Sequence, residues 1–249
     1  MIELQKISKV FNRGQVNEVI ALNDVSLSIQ QEEFLIIVGA NGSGKTTLLN
    51  IISGSEFCTN GKILIDDTDV SNLPEYKRSR WIARVFQNPL SGTASELSIL
   101  DNFRLAAIRT TKKKLTIGIN EAFKKKVRDK IAELGMGLEN KLEQAIGTLS
   151  GGQRQALTLL MSVMDETKIL LLDEPTAALD PRSATLILQT ADNLIKQYKL
   201  TAILITHNLK DAHQYGSRLI QMNEGKILRD VKIVEKKTLP LQEMYEWFS

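Results

Sequence analysis

One cysteine and two histidines in 249 residues leave little for thiolate or imidazole chemistry. Cys58 has no second cysteine with which to close a disulfide, which fits a reducing compartment, and with His207 and His213 it forms no zinc-type spacing. Charge of one sign is also scarce: 32 basic against 29 acidic side chains leave a formal +3, too balanced to announce nucleic acid. Long apolar runs are missing as well. "FLIIV" and "ILLL" fall far short of the ~20 residues that cross a bilayer, and "MIELQKISKVF" lacks an apolar signal core, so the reading is of a cytosolic chain. What remains is an ordinary globular composition, 43% apolar and 24% charged, sufficient for one large core or two modest ones.

Apolar runs of strand length alternate with helical patterns, and no internal repeat interrupts them, which favours an α/β fold. "MIELQKISKVF" and "VIALNDVSLSI" read as a strand pair, and "EFLIIVGA" as a buried central strand. "TTLLNIISG" has helical spacing and a closing glycine, and "GKILIDDTDV" reads as a strand entering a turn. From about Asn88 to Leu157 the pattern becomes helical, with lysine clusters at 112–114 and 124–126 read as solvated helical faces. Buried strands return in "KILLLDEP" and "TAILITHN", joined by a crossover helix in "SATLILQTADNLIKQYK". The tail "LPLQEMYEWFS" reads as an amphipathic helix that packs Tyr245, Trp247 or Phe248 onto the core.

Between the central strand and its helix lies "GANGSGKTT". Glycine costs roughly 1 kcal/mol against alanine inside a helix, so glycines at the mouth of one need another reason. A bound polyphosphate supplies it. Gly39, Gly42 and Gly44, with Asn41 and Ser43 between them, let successive N–H groups turn inward as an anion nest backed by the helix dipole. Lys45 then reaches the β- and γ-phosphates, Thr46 ligates Mg²⁺, and Thr47 bonds an earlier phosphate. In "ILLLDEP", Asp173 closes a strand where it can hold the cation, and Glu174 can polarise an attacking water. "LSGGQ" at 149–153 opens a helix, so Ser150, Gly151, Gly152 and Gln153 form a second small-residue anion site.

Together these stretches resemble the ATP-binding cassette (ABC) proteins, whose signature "LSGGQ" matches, and the motifs occur in family order along nearly the whole chain. The resemblance implies a P-loop NTPase (RecA-like) core over 1–87 and 158–249 with an N-terminal antiparallel β subdomain, and an inserted helical subdomain over 88–157. It implies an ATPase that uses ATP and Mg²⁺. "VFQNP" resembles the glutamine loop, making Gln87 a sensor of Mg²⁺ and water. "AALD" places Asp180 across a dimer interface, and "ITHN" puts His207 near the γ-phosphate. Phe11, in "KVF", either stacks on adenine or packs as core. The family further implies a head-to-tail pair of identical subunits, in which "LSGGQ" of one covers ATP on the loop of the other. Attached transmembrane permease subunits would hold the chain at the cytoplasmic face of the membrane, with an extracytoplasmic solute-binding protein as an indirect partner and no nucleic acid.

Two positions and one stretch depart from the family's pattern. Glu32 in "QQEEF" and Asp67 in "LIDDTDV" stand where glycine is usual, which leaves room for a different turn at Glu32, and "ALTLLMSVM" replaces the usual continuation after "LSGGQRQ". Stretches such as "NEVIALNDVSL" and "GTASELSILDN" resemble a bacterial subgroup that works with a separate permease and a solute-binding protein, some members being associated with aromatic amino-acid uptake. An ABC ATPase of an assembly pathway, such as iron–sulfur cluster assembly, is the alternative.

Overall fold

The computed structural model describes residues 1–109 and 118–247, so the lysine cluster at 112–114 and Phe248 lie outside the described residues. In chain order the elements are β1 (Ile2–Phe11), β2 (Val19–Ile29), β3 (Phe34–Val38), α1 (Lys45–Ser53), β4 (Asn60–Ile65), β5 (Thr68–Asp69), α2 (Glu75–Arg78), β6 (Ile82–Val85), α3 (Ile99–Ala107), α4 (Glu121–Ala132), α5 (Gly151–Ser162), β7 (Ile169–Asp173), α6 (Pro181–Gln197), β8 (Thr201–Ile205), α7 (Leu209–Gln214), β9 (Arg218–Asn223), β10 (Lys226–Val231), α8 (Ile233–Thr238) and α9 (Leu241–Glu246). They fall into two compact units, Met1–Arg78 with Lys199–Ser249, and Ser79–Tyr198. The 88–157 stretch read as helical lies wholly within the second.

In the first unit β2, β1, β4 and β5 form an antiparallel sheet, with Ile2 opposite Ile29 and Leu4 opposite Leu27. Strict alternation would turn Lys6 inward after Leu4. Instead the register shifts between Leu4 and Ile7, Lys6 takes φ 49°, and Ile7 returns to the core. A second set places β3 between β8 and β9, all parallel, with β10 antiparallel to β9. Every residue of β3 and β8 is buried, as expected of strands covered on both faces.

The glycine-like turns survive without glycine. Glu32 adopts φ 60°, a left-handed conformation of the kind that favours glycine, held here by a residue with a side chain. Asp66 and Asp67, between β4 and β5, have φ 47° and 62°, the double positive φ of a tight hairpin turn whose twist matches the strands. Asp and Asn tolerate this region better than other side chains do, and Glu does so less readily.

Arg78, fully buried, fixes the far end of α1. Its guanidinium donates to the carbonyls of Ile51 (2.6 Å), Ile52 (3.0 Å), Leu73 (2.7 Å) and Ser71 (3.2 Å), and burial pushes its pKa down to about 10. The C-terminal segment is fastened in the same manner. Lys236 on α8 donates to the carbonyls of His213 in the last turn of α7 and of Tyr215 and Gly216 just beyond it, and Met244 on α9 is fully buried. Trp247 accepts at its carbonyl from Gln221 (2.9 Å), and the Arg229 guanidinium stacks 4.8 Å from its ring.

In the second unit β6 and β7 are parallel, with Val85 opposite Leu172. α5 is buried along most of its length and packs on α3, α4, α6 and β6. α4 presents Lys125 and Lys126 to solvent, and Lys124 approaches Glu121 and Glu143, which agrees with the solvated face expected.

Candidate nucleotide site

The phosphate loop runs from the end of β3 into α1. A Cβ on Gly39 would stand 2.4 Å from the Met222 carbonyl oxygen and 2.6 Å from Ser43 Oγ, and one on Gly44 would stand 2.5 Å from the Ala21 oxygen. Gly44 caps α1 at φ 97°, so both sterics and backbone demand glycine there. Lys45, only 6% exposed, folds its ammonium into the loop and donates to the carbonyls of Gly39 and Ala40, both at 2.9 Å. Among the described residues the buried Ser43 Oγ has no hydrogen-bond partner. A buried hydroxyl without a partner, an ammonium held inside a glycine-walled loop and a helix N-terminus together fit a polyphosphate.

His207 follows β8 in the same unit. A cavity of about 440 Å³ brings it together with Gly39, Ala40 and Asn41 of the loop, and Tyr245 of α9 completes the wall. Asp211, one turn into α7, lies in the electrostatic field of His207: burial pushes its carboxyl up, and the histidine pulls it back down. Thr46 is exposed at the helix mouth and Thr47 half-buried. Phe11 is half-exposed at the end of β1, and the Lys9 ammonium sits 4.7 Å from its ring centroid.

The remaining motif residues belong to the second unit. Asp173 ends β7 and its Oδ2 accepts from Arg84 Nη2 at 2.7 Å. Glu174 follows at φ 46°, a left-handed conformation that costs a non-glycine residue about 1 kcal/mol or more. Its carboxylate accepts a long 3.5 Å contact from Gln87 Nε2, so the structure brings together the two residues read as acting on water. Gln155 on α5 donates to the Phe86 carbonyl at 2.9 Å, tying the glutamine loop to the helix that opens with "LSGGQ".

Ser150 is the N-cap of α5 and forms a capping box with Gln153, so both side chains already serve the helix start. The two glycines differ. A Cβ on Gly152 would press to 2.6 Å from Ser183 Oγ, so α6 demands glycine there. On Gly151 a Cβ would meet Leu179 at 3.4 Å and Pro89 at 3.9 Å, both ordinary contact, and the residue is exposed, so nothing among the described residues requires glycine at 151. The Asp180 carboxylate caps α6 through the N–H groups of Arg182 and Ser183, both at 3.1 Å; a hydrogen bond from the Ser183 side chain, and after it these N–H groups, hold it below the usual carboxylate range.

Two neighbours escaped the sequence reading. Arg84 left a signal, a cation inside a four-residue buried strand that needs a carboxylate partner. Asp211 left none beyond its spacing of four residues from His207.

Oxygen donors such as the Thr46 hydroxyl and the Asp173 carboxylate suit Mg²⁺. Among the described residues no group of three His, Cys, Asp or Glu could hold a metal ion.

The family model described as ABC transporter matches residues 22–177. The "Tyrosine transport ATP-binding protein" of Clostridioides difficile is 38% identical over 254 residues, covering 100% of this chain and 99% of its own. The "Phosphonates import ATP-binding protein PhnC" of Lactococcus lactis subsp. cremoris is 32% identical, covering 98% of each chain. Among solved structures, the dimeric post-hydrolysis state of the cassette MJ0796 bound to ADP and Pi superposes with a TM-score of 0.81 at 28% identity, covering 94% of this chain and 99% of that one. With the phosphate loop, the strand-end carboxylates and the "LSGGQ" helix all in place, the chain belongs to the ABC transporter family, as an ATP-binding cassette that hydrolyses ATP.

Proposed function

We propose that this chain energises a bacterial importer of a small solute, with an amino acid as the first candidate. The observation that carries the reading is the match to the tyrosine transport protein, which spans both chains nearly end to end. The phosphonate relative is named as an import protein, which supports the direction. These relatives lend no support to an iron–sulfur assembly role. No helix among the described residues is long and apolar enough to cross a membrane; in this reading the permease is a separate polypeptide.

In this proposal Lys45 and the loop from Gly39 to Thr47 bind the triphosphate, while Thr46, Gln87 and Asp173 hold Mg²⁺. The bound cation supplies charge neutralisation on the phosphates. Glu174, held beside Gln87, accepts the proton of the attacking water, and His207 stabilises charge at the γ-phosphate. Exposed Gly151 admits the triphosphate bound by a second copy, and Asp180 faces that copy. A groove of about 180 Å³ in the second unit, walled by Arg84, Gly92, Asn102, Leu105 and Arg109, offers a seat for a cytoplasmic helix of the permease, which keeps the chain at the membrane's inner face. A solute-binding protein would act on the permease from outside.

The test is a detergent-solubilised pull-down of the tagged Glu174→Gln protein with Mg-ATP, read by mass spectrometry. Slow hydrolysis should trap an ATP-dependent dimer carrying a polytopic membrane protein. Capture of soluble partners alone, with the membrane fraction demonstrably extracted, would overturn the importer reading.

A further inference from the structure

β6 is only four residues long and otherwise buried, yet it carries Arg84. A guanidinium there must be matched by charge, and it is: Arg84 Nη2 donates to Asp173 Oδ2 at 2.7 Å, with 9% and 10% of the two side chains exposed. The guanidinium also lies 4.7 Å from the centroid of the Phe86 ring. Phe86 is in turn fixed through its carbonyl by Gln155, so the cation is held on two sides. It is not a surface arginine that swings away on demand.

Asp173 is the carboxylate assigned above to the divalent cation. One acidic group thus serves a permanent monocation and a bound dication. Water screens such a contest weakly at a site this buried, and a fixed positive charge a few ångströms from a dication lowers the dication's affinity.

We infer that Arg84 is a positioning residue that holds Asp173 through Oδ2 and tempers its grip on the divalent cation, an inference that rests on Asp173 being a cation ligand. The pair keeps a lone carboxylate from binding metal tightly by itself. High cation affinity then requires the phosphates of a bound nucleotide.

The test is a Mn²⁺ titration followed by electron paramagnetic resonance, on the full chain saturated with ADP. Arg84→Met should bind Mn²⁺ about tenfold more tightly than the unaltered chain. Arg84→Lys, which keeps the charge, should stay near the original value, and Asp173→Asn should bind at least about tenfold more weakly. A purely structural arginine would give the opposite sign for Arg84→Met, because a loosened Asp173 binds metal less well. Unchanged or weaker Mn²⁺ binding by Arg84→Met, with Asp173→Asn still impaired, overturns the role of Arg84 alone. If Asp173→Asn binds Mn²⁺ as the unaltered chain does, the assignment of Asp173 falls and the inference with it. Should Arg84→Met not fold, Arg84→Gln carries the same expectation. A far-UV circular dichroism spectrum matching that of the unaltered chain establishes that each variant is folded.

Discussion

Gly151 and Gly152 are adjacent and chemically identical, yet substitution should affect them through different physics. At Gly152 a methyl group would overlap Ser183, at 2.6 Å from Oγ and 2.8 Å from Cβ. Such overpacking between α5 and α6 costs about 1–3 kcal/mol, so Gly152→Ala should lower the melting temperature by several degrees. At Gly151 the new Cβ finds ordinary contact at 3.4 Å, and an aspartate in the first turn of α5 gains about 0.3–1 kcal/mol from the helix dipole. Gly151→Asp should therefore melt at or slightly above the original temperature. Its cost appears only between two copies. A carboxylate about 4 Å from a phosphate charge, at an effective dielectric near 20, is disfavoured by about 4 kcal/mol, which lowers dimer affinity by more than about a hundredfold. The assay is size-exclusion chromatography with ATP in the Glu174→Gln background, beside a fluorescent-ATP titration of the monomer. Dimer lost with monomer binding intact supports the shared site. An undiminished dimer, or an equal loss of monomer ATP binding, refutes it.

Lys45→Ala removes the ammonium held by Gly39 and Ala40; fluorescent-ATP affinity should fall at least about tenfold with little change in melting, and unaltered affinity would exclude the loop as the phosphate site. Glu32→Gly removes a side chain at φ 60° and should stabilise by about 0.5–1 kcal/mol, net of the freer unfolded chain, raising the melting temperature by a degree or more; a lower melting temperature would show that the turn is unstrained. Lys236 is depressed by burial to about 8 from an ordinary 10.5, so the folded chain binds fewer protons than the unfolded one between those values and stability should rise with pH across that window. In denaturant titrations at pH 7.5 and 10.5 the rise should be smaller in Lys236→Met by as much as about 3 kcal/mol; equal rises would place the ammonium in water.

The order of strands and helices was legible because buried runs such as "FLIIV" and "TAILI" differ in period from "SATLILQTADNLIKQYK". The β9–β10 hairpin was not anticipated. Its strands "RLIQMN" and "KILRDV" mix charge with apolar residues, since Arg218 is buried by a bidentate pair with Asp230 (2.6 and 2.7 Å) that no local pattern announces. Phosphate-loop chemistry was legible because it is local: glycine, lysine and threonine lie within nine residues of backbone. Pairings across strands, such as Arg84 with Asp173, 89 positions apart, depend on a register that periodicity does not supply.

The turn at Glu32 shows how a departure from pattern should be weighed. Glycine at a left-handed position is the cheapest solution, so its absence argues for a different backbone. Yet the path of the chain here is set by its surroundings. Glu32 N–H donates to Thr201 Oγ1 at 3.1 Å at the head of β8, Glu33 accepts from the Gln30 N–H at 2.7 Å, and Phe34 begins a fully buried strand immediately afterwards. Changing the turn would break these bonds and shift β3, on which the phosphate loop is mounted. That disruption exceeds the roughly 1–2 kcal/mol of one strained residue, so the backbone is kept and Glu32 bears the strain. A missing glycine therefore signals local cost before it signals a different fold, and at Asp66 and Asp67, where φ is 47° and 62°, the same reasoning holds with a side chain better suited to the conformation.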